Sequence, residues 1–122
     1  TKKKDNIVKW YKQYLKDCNH ICFQPEVRNG FLNSNWLIIV KINNKKYKKK
    51  LIAYLHKKNI EARQIFYPLS TLPIYKKFFN SSNQKSIEAF NEFVCLPSSV
   101  KLKKNQIDYI SRTIKKFFSE KI

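Results

Sequence analysis

The chain has 122 residues, enough for one domain of ordinary size, and its 26 Lys and Arg against 8 Asp and Glu give it a net charge of +18. Its 43% apolar and 28% charged residues are typical of globular proteins, which excludes collagen-like, mucin-like and wholly disordered chains. The single glycine, Gly30, excludes a self-contained P-loop or dinucleotide-binding site, because both need several glycines. No apolar run approaches the ~20 residues of a membrane span, so we expect a cytoplasmic protein without a membrane partner.

The first half of the chain carries the patterns of one helix and one strand pair. Apolar residues recur at helical spacing over 5–16 and leave lysines for the opposite side, which predicts a first helix. Turn residues follow at Pro25 and Asn29-Gly30. The β-branched run 36–42 predicts a buried strand, and the weaker stretch 21–24 is its candidate partner.

The middle of the chain predicts a lysine-rich helix over 45–58. Its apolar positions form one stripe, and its seven lysines fall mainly on the other side. Asn59 tolerates the left-handed backbone that often follows a helix, so we predict a helix end there and a strand over 60–64. The stripe consists of Tyr47, Leu51, Tyr54 and Leu55.

The second half alternates loop, helix and strand. Two prolines, Pro68 and Pro73, predict an ordered loop over 66–75. A short helix follows over 86–93, then a brief strand over 94–96 and a last helix over 104–120. This order predicts an α+β fold, a small antiparallel or mixed sheet packed with helices, and no linker or repeat divides the single domain 1–122.

The cysteines and the charge suggest no site by themselves. Cys18, Cys22 and Cys95 are an odd number, and we expect reduced thiols rather than a disulfide framework. Cys18, His20 and Cys22 lack a C-x-x-C knuckle and a second pair of ligands, so we predict no metal site.

Residues 27–60 contain nine positive side chains and no Asp or Glu, an electrostatic footprint that a nucleic-acid-binding protein would use. Only three arginines are present for base readout or bidentate phosphate contacts, so a solvated helix face is our preferred interpretation and nucleic acid is not an expected partner. A stand-alone basic domain that binds nucleic acid or anionic surfaces stays open as the alternative.

The stretch 60–75, Ile-Glu-Ala-Arg-Gln-Ile-Phe-Tyr-Pro-Leu-Ser-Thr-Leu-Pro-Ile-Tyr, is more specific. It resembles the "GI-E-T-R-x-x-[FY]-x-P-L-H-x-x-P-x-Y" segment of the DegT/DnrJ/StrS family of pyridoxal-phosphate-dependent nucleotide-sugar aminotransferases. The stretches 35–37, 50–55, 86–97 and 102–118 are similar to further family motifs in the family's order. The resemblance covers essentially the whole chain and favours members like perosamine synthase.

The resemblance implies that residues 1–122 are the C-terminal small domain of a fold-type I aminotransferase whose large domain is absent. The Schiff-base lysine and the other cofactor-binding motifs of the family belong to that large domain, so this fragment is expected to bind no cofactor and to be inactive alone. The implied parent is a homodimer that holds pyridoxal 5′-phosphate. It transfers an amino group, most often from L-glutamate, to a nucleotide-linked keto sugar for polysaccharide or glycan precursors.

The resemblance also implies a substrate-binding set made of Arg63, Tyr67, Ser70 and Trp36, with no catalytic residue in this chain. Arg63 is the first candidate, because a guanidinium suits a carboxylate or a diphosphate oxygen. Tyr67 and Ser70 lie on the proline-stiffened loop that the family turns toward the sugar nucleotide, and Trp36 would line the wall. A regulatory use of the same fold is a further alternative.

Each assignment has a structural alternative. Arg63 is also a candidate for a surface ion pair with Glu61 or Glu88. Trp36 is also a candidate core residue, and Tyr67 is a candidate cap on the hydrophobic layer. Ser70 stands where many family members have histidine, and Ala62 stands where they have threonine. Lys103 and Lys104 replace the threonine and glutamate of a capping box, which predicts a weaker start for the last helix.

Overall fold

A computed structural model describes residues 2–23, 27–28, 31–32, 37–65 and 84–121. The described helices are α1 (Lys2–Leu15), α2 (Lys48–Lys57), α3 (Gln84–Glu92) and α4 (Lys104–Lys121), and a 3-10 turn (Lys45–Tyr47) leads into α2. The described strands are β1 (Ile21–Phe23), β2 (Val27–Arg28), β3 (Phe31–Leu32), β4 (Ile38–Ile42), β5 (Arg63–Gln64) and β6 (Phe93–Leu96).

The main sheet has four strands in the order β1-β4-β6-β5, and every neighbouring pair is antiparallel. The two central strands are paired with Ile39 opposite Cys95 and Val40 opposite Val94. The edge strand β5 places Arg63 opposite Cys95. The chain therefore has the α+β class that its sequence predicts, with an antiparallel sheet.

The two faces of this sheet differ in burial, because successive side chains along a strand point to opposite sides. On the inner face Val40 and Val94 are buried, and on the outer face Ile39 and Cys95 are only half-buried. Arg63 is exposed on the outer face beside Cys95.

The core lies between the inner face and three of the helices. Helices α1, α2 and α4 each bury one stripe at helical spacing, while β4 buries every second residue. The fully buried large side chains come from all these elements: Ile7, Tyr11, Val40, Ile42, Leu51, Leu55, Val94, Ile107, Ile114 and Phe117.

Helix α2 ends as its sequence predicts. Asn59 has a φ of 61°, in the left-handed region that asparagine tolerates. The Asn59 N–H donates to the His56 carbonyl at 3.1 Å and the Ile60 N–H donates to the Leu55 carbonyl at 2.9 Å, which is a Schellman motif. This closure brings the chain directly from α2 to the segment that precedes β5.

The predicted helices and strands are found with shifted ends. The predicted pairing of 21–24 with 36–42 is confirmed by β1 and β4, but β4 begins only at Ile38. The strand predicted over 60–64 is shorter, since only Arg63 and Gln64 pair with β6. The sequence indicated a turn near Asn29-Gly30 without predicting the β2–β3 hairpin around it. The loop predicted over 66–75 lies outside the described residues.

One lysine of α2 faces inward, contrary to the general pattern of that helix. Lys48 is 3% exposed, and its Nζ donates to the Phe90 carbonyl at 2.7 Å and to the Gln64 Oε1 at 3.3 Å. The same ammonium lies 4.3 Å from the centre of the Phe90 ring. Burial, with a smaller contribution from Lys49, lowers the pKa of Lys48. Lys48 therefore connects the start of α2 with α3 and β5.

The start of α4 retains half of a capping box. The Lys103 side chain is no capping acceptor, but the Gln106 Oε1 accepts a hydrogen bond from the Lys103 N–H at 2.8 Å. The glutamine thus provides the reciprocal contact of the box, and the helix begins at Lys104 despite the missing threonine and glutamate.

Candidate functional site

A cleft of about 720 Å³ lies at the end of the sheet where β6 finishes and β5 begins. Its walls are the segment from the end of α2 to β5, the turn after β6, and the first turns of α4. Apolar and polar groups alternate around it, which is typical of a ligand-binding cleft. Among its lining residues are Leu37, Glu61, Arg63, Cys95, Pro97, Ser98, Asn105 and Tyr109.

Helix α1 holds the turn that forms one wall of this cleft. The buried Tyr11 hydroxyl donates to the Pro97 carbonyl at 2.7 Å, and the Lys4 ammonium donates to the Ser98 carbonyl. Burial raises the pKa of Tyr11 well above its ordinary value, so its hydroxyl remains a donor at any physiological pH. The wall is therefore fixed from the core side by two side chains of one helix.

Arg63 lies on the opposite wall, at the exposed edge strand of the sheet. Its side chain is 70% exposed, and its Nη2 lies 2.6 Å from the Glu61 Oε1. An exposed pair of this kind contributes only about 0–1 kcal/mol, since water competes for both partners. The Arg63 guanidinium is thus held near the cleft by a carboxylate that another anion can displace at low cost.

Cys95 is the cross-strand neighbour of Arg63 and lies deeper in the cleft. Burial raises the pKa of the Cys95 thiol, and the nearby Arg63 charge offsets part of that shift. The thiol is therefore neutral at pH 7. It contributes a small neutral side chain next to Arg63 in the cleft rather than a nucleophile.

The α4 wall adds an aromatic ring to the cleft. Tyr109 is 49% exposed, and its hydroxyl donates to the Lys58 carbonyl at 3.2 Å. This contact bridges α4 to the end of α2. Together with Pro97 and Leu37, Tyr109 supplies apolar surface to the lining of the cleft.

Of the substrate-binding residues predicted from the sequence, the structure describes Arg63, which lines the cleft. Its ion-pair partner is Glu61 rather than Glu88. Tyr67, Ser70 and Trp36 lie outside the described residues, so their assignments stay predictions. Leu37, the next residue after Trp36, is part of the cleft wall.

Sequence reasoning missed Cys95, Tyr109 and the turn after β6 as parts of the cleft. The motif 94–96 was predicted as a strand, but only the pairing of β6 with β5 brings Cys95 next to Arg63. Tyr109 lies outside the buried stripe of α4, and its side chain is 49% exposed. An aromatic residue at a position off the apolar stripe is the only signal of it that the sequence carries.

The described residues do not make a site for pyridoxal phosphate by themselves. The one buried lysine among them, Lys48, donates to the Phe90 carbonyl and Gln64, and no carboxylate among them is buried. A Schiff-base lysine needs a free amine, and the pyridinium nitrogen needs an acidic partner. We therefore derive no step through this cofactor from these residues.

The three cysteines and His20 have separate surroundings. His20 stacks on Phe118 with 4.7 Å between ring centres, and the exposed Cys22 thiol lies 3.3 Å from the Asn43 Oδ1. Across the described ranges the three thiols are free, and no group of three His, Cys, Asp or Glu side chains is placed to hold a metal ion. Nor does any helix in the described part have the length and apolarity to cross a bilayer.

Comparison with known proteins agrees with the fold and the cleft motif. A model of the DegT/DnrJ/EryC1/StrS aminotransferase family matches residues 1–115, so this chain belongs to that family. The family is one of pyridoxal-phosphate-dependent sugar aminotransferases.

Individual relatives point to the same class. The chain is 35% identical over 98 residues to GDP-perosamine synthase of Vibrio cholerae, a match that covers 75% of this chain and 26% of that protein. It is 25% identical over 108 residues to GDP-perosamine synthase of Escherichia coli O157:H7, covering 88% of this chain and 29% of that protein. The chain therefore spans less than a third of these relatives.

Solved structures share the fold. The structure of Spr1654 from Streptococcus pneumoniae in its PLP form superposes with a TM-score of 0.85 at 23% identity. This match covers 99% of the chain described here and 32% of the Spr1654 chain. At this level of identity the likeness establishes the fold alone.

Proposed function

We propose that this chain is the C-terminal small domain of a pyridoxal-phosphate-dependent sugar aminotransferase and forms one wall of its active-site cleft. The complete enzyme would transfer an amino group from L-glutamate to the keto carbon of a nucleotide-linked sugar. Such a reaction supplies precursors of surface polysaccharides or glycans. The cofactor and its lysine belong to a large domain outside this chain, and the enzyme works as a homodimer.

The position of Arg63 is the observation that carries this proposal. Its exposed guanidinium lies on the wall of the cleft of about 720 Å³, within the stretch that resembles the family motif. The Glu61 carboxylate already accepts a hydrogen bond from this guanidinium. A carboxylate or diphosphate of the substrate would replace Glu61 and accept the same charge-assisted hydrogen bond.

The proposed role of Arg63 is to bind substrate rather than to take part in proton transfer. Arginine is charged at every physiological pH and offers a planar fork of donors, so it orients an anion without exchanging protons. Tyr67, Ser70 and Trp36 would complete the contacts with the sugar nucleotide. Ser70 would donate a single hydrogen bond where a histidine would offer a titratable ring.

The test is to change Arg63 to Ala in the intact enzyme. We expect kcat/KM for the sugar nucleotide to fall roughly 10- to 100-fold, the loss of one charge-assisted contact of about 1.5–3 kcal/mol. The absorbance spectrum of the bound cofactor should stay unchanged, because Arg63 does not touch it in this proposal. Steady-state kinetics with both substrates and a cofactor spectrum measure these two results.

Arg112 provides a matched control on α4. It is 72% exposed and pairs with Asp108 at 2.7 Å, so it has nearly the same exposure and the same type of partner as Arg63. We expect Arg112→Ala to leave kcat/KM within about twofold. Equal effects of the two substitutions, or none from Arg63→Ala, would remove Arg63 from the substrate site.

A further inference from the structure

The outer side of α2, together with the 3-10 turn that leads into it, carries a cluster of lysines that we call the lysine face. It consists of Lys46 on the turn and Lys49, Lys50 and Lys57 on α2, around the small side chain of Ala53. All five residues are exposed. Positions 49, 53 and 57 are four residues apart and 50 and 57 are seven apart, so they share one side of the helix. The opposite side of α2 buries Leu51 and Leu55 in the core.

The lysine face has no acidic partner among the described residues. Helix α2 contains no Asp or Glu, and the ion pairs found in the described ranges involve Lys41, Arg63, Arg112, Lys115 and Lys116 instead. Lys46 contacts the ring of Tyr47, with its Nζ 5.0 Å from the ring centre. No carboxylate in the described part of the chain is therefore paired with the four ammonium groups of the face.

This arrangement is unfavourable for the helix that carries it. Lys48, Lys49 and Lys50 occupy the first turn, where the helix dipole disfavours positive charge. Like charges three or four residues apart, such as Lys46 with Lys49 and Lys50, repel each other. The lysines of the face are exposed and none of them belongs to the buried core. A negatively charged partner would remove both costs.

Contrary to the sequence-based expectation of no membrane partner, we propose that the lysine face is a contact surface for an anionic phospholipid bilayer. The face is a convex side of a helix, about 16 Å from Lys46 to Lys57 at 1.5 Å per residue, and a convex side can rest on a plane. Lysine ammonium groups attract such a surface without needing a fixed geometry. The contact is peripheral and reversible, and it does not require a helix that crosses the membrane.

The chemistry of the face favours lipid over nucleic acid. None of its members is an arginine that could hold a phosphate bidentately, and none is aromatic. The nearest rings are Tyr47, directly before α2, and Tyr54 on α2. Both contact Phe117 of α4, at 6.3 Å and 5.4 Å between ring centres. No exposed ring of the face is thus placed to stack on a base.

The test uses the intact protein as encoded and sedimentation with two kinds of vesicle, pure phosphatidylcholine and phosphatidylcholine with phosphatidylglycerol. We expect binding to the anionic vesicles at physiological salt, little binding to the neutral ones, and loss of binding at about 1 M salt. The face variant changes Lys46, Lys49, Lys50 and Lys57 to Gln. Each lysine near an anionic surface contributes roughly a fivefold change, so the face variant should bind at least tenfold more weakly.

A second variant, which we call the dispersed variant, distinguishes an effect of the lysine face from an effect of the total net charge. It changes Lys9, Lys16, Lys101 and Lys104 to Gln, four exposed lysines that lie on α1, directly after α1, and around the start of α4. It loses the same total charge and should keep its vesicle affinity within roughly threefold. Similar losses in both variants would show that charge alone, and not this face, attracts the bilayer, and would overturn the proposal.

Two further outcomes also decide the matter. Absence of binding to anionic vesicles at physiological salt overturns the proposal, as does tighter binding to a duplex or single-stranded oligonucleotide that the face variant abolishes. If the face variant fails to fold by circular dichroism, Ala53→Glu replaces it. This single exposed change places one carboxylate four residues from both Lys49 and Lys57, lowers the net charge of the face from +4 to +3, and should weaken vesicle binding roughly fivefold. This proposal does not depend on the role of Arg63, whose test has a kinetic readout instead.

Discussion

Helices α2 and α4 contact the same core but differ in whether their charged side chains have partners of opposite charge. Each buries a stripe of large apolar side chains, Leu51 and Leu55 on α2 and Ile107 and Ile114 on α4. On α4, cations have carboxylate partners one turn away, as in the pair of Arg112 with Asp108 at 2.7 Å. On α2, no acidic residue is present.

The difference shows that the inner and outer sides of α2 are under separate constraints. The inner stripe determines where the helix packs, and the lysines outside contribute nothing to that packing. On α4 the outer side supports the helix through pairs one turn apart. The lysine face of α2 lacks such support, and this is the physical basis for assigning it to a partner rather than to the fold.

The largest expected effect tests whether the buried stripes of α2 and α4 contribute equally to stability. Leu51→Ala and Ile114→Ala each remove a side chain with no exposed surface. Each should lower the free energy of unfolding by about 2–5 kcal/mol, because a cavity remains in the core. Urea unfolding of the chain measures both. A cost below about 1 kcal/mol for either substitution would show that its helix contributes little to the shared core.

The second prediction compares the contribution of Lys48 to stability with that of the outer lysines on the same helix. Lys48→Met should cost about 1–3 kcal/mol at neutral pH, since the Phe90 carbonyl and Gln64 lose their donor. Because burial lowers the pKa of folded Lys48 below the ordinary 10.5, the unfolded chain binds more protons as pH approaches 10.5. The contribution of Lys48 to stability therefore rises with pH in that range.

The measurement is urea unfolding of both proteins from pH 7 to about pH 10.5. The stability difference between the native chain and Lys48→Met should grow as pH rises, while Lys49→Met, an exposed neighbour, should show no such growth. A difference that stays constant or shrinks over this range would mean that the Lys48 charge is not desolvated in the folded state.

The smallest effects are expected from substitutions that remove a charge pair from α4 or add one to α2. Asp108→Asn removes the α4 pair and should cost about 0.3–0.5 kcal/mol. Ala53→Glu gives α2 the partners it lacks, one turn from both Lys49 and Lys57, and should add a similar amount. Both effects should shrink at high salt. Thermal unfolding at low and high salt measures them, and a destabilising Ala53→Glu would contradict our account of the lysine face.

Much of the fold was predictable because it depends on local patterns. Helical spacing of apolar residues predicts α1, α2, α3 and α4, and Asn59 marks the end of α2 through its own backbone tolerance. Strand ends were less predictable, as the short β5 shows. The length of the neighbouring strand does not set this limit, because β6 extends from Phe93 to Leu96, while only Arg63 and Gln64 pair with it. The Ala62 N–H donates instead to the Ile60 carbonyl at 3.1 Å, a local turn contact that no sequence pattern indicated.

The site was predictable only as a motif. The stretch around Arg63 indicated the family, and the comparisons confirm that assignment. The residues that surround Arg63 come from other elements, Cys95 from β6 and Tyr109 from α4. Their sequence separation from Arg63 leaves no local pattern that could associate them with it.

The sequence by itself determined the class of fold, the family and the excess of lysine, because composition, periodicity and motif are properties of the chain alone. Only the tertiary structure decided which lysine is buried and which form a face, and that Glu61 is the partner of Arg63. It also decided that the Tyr11 hydroxyl holds the turn after β6. These depend on strand pairing and helix packing, which bring together groups up to 94 residues apart.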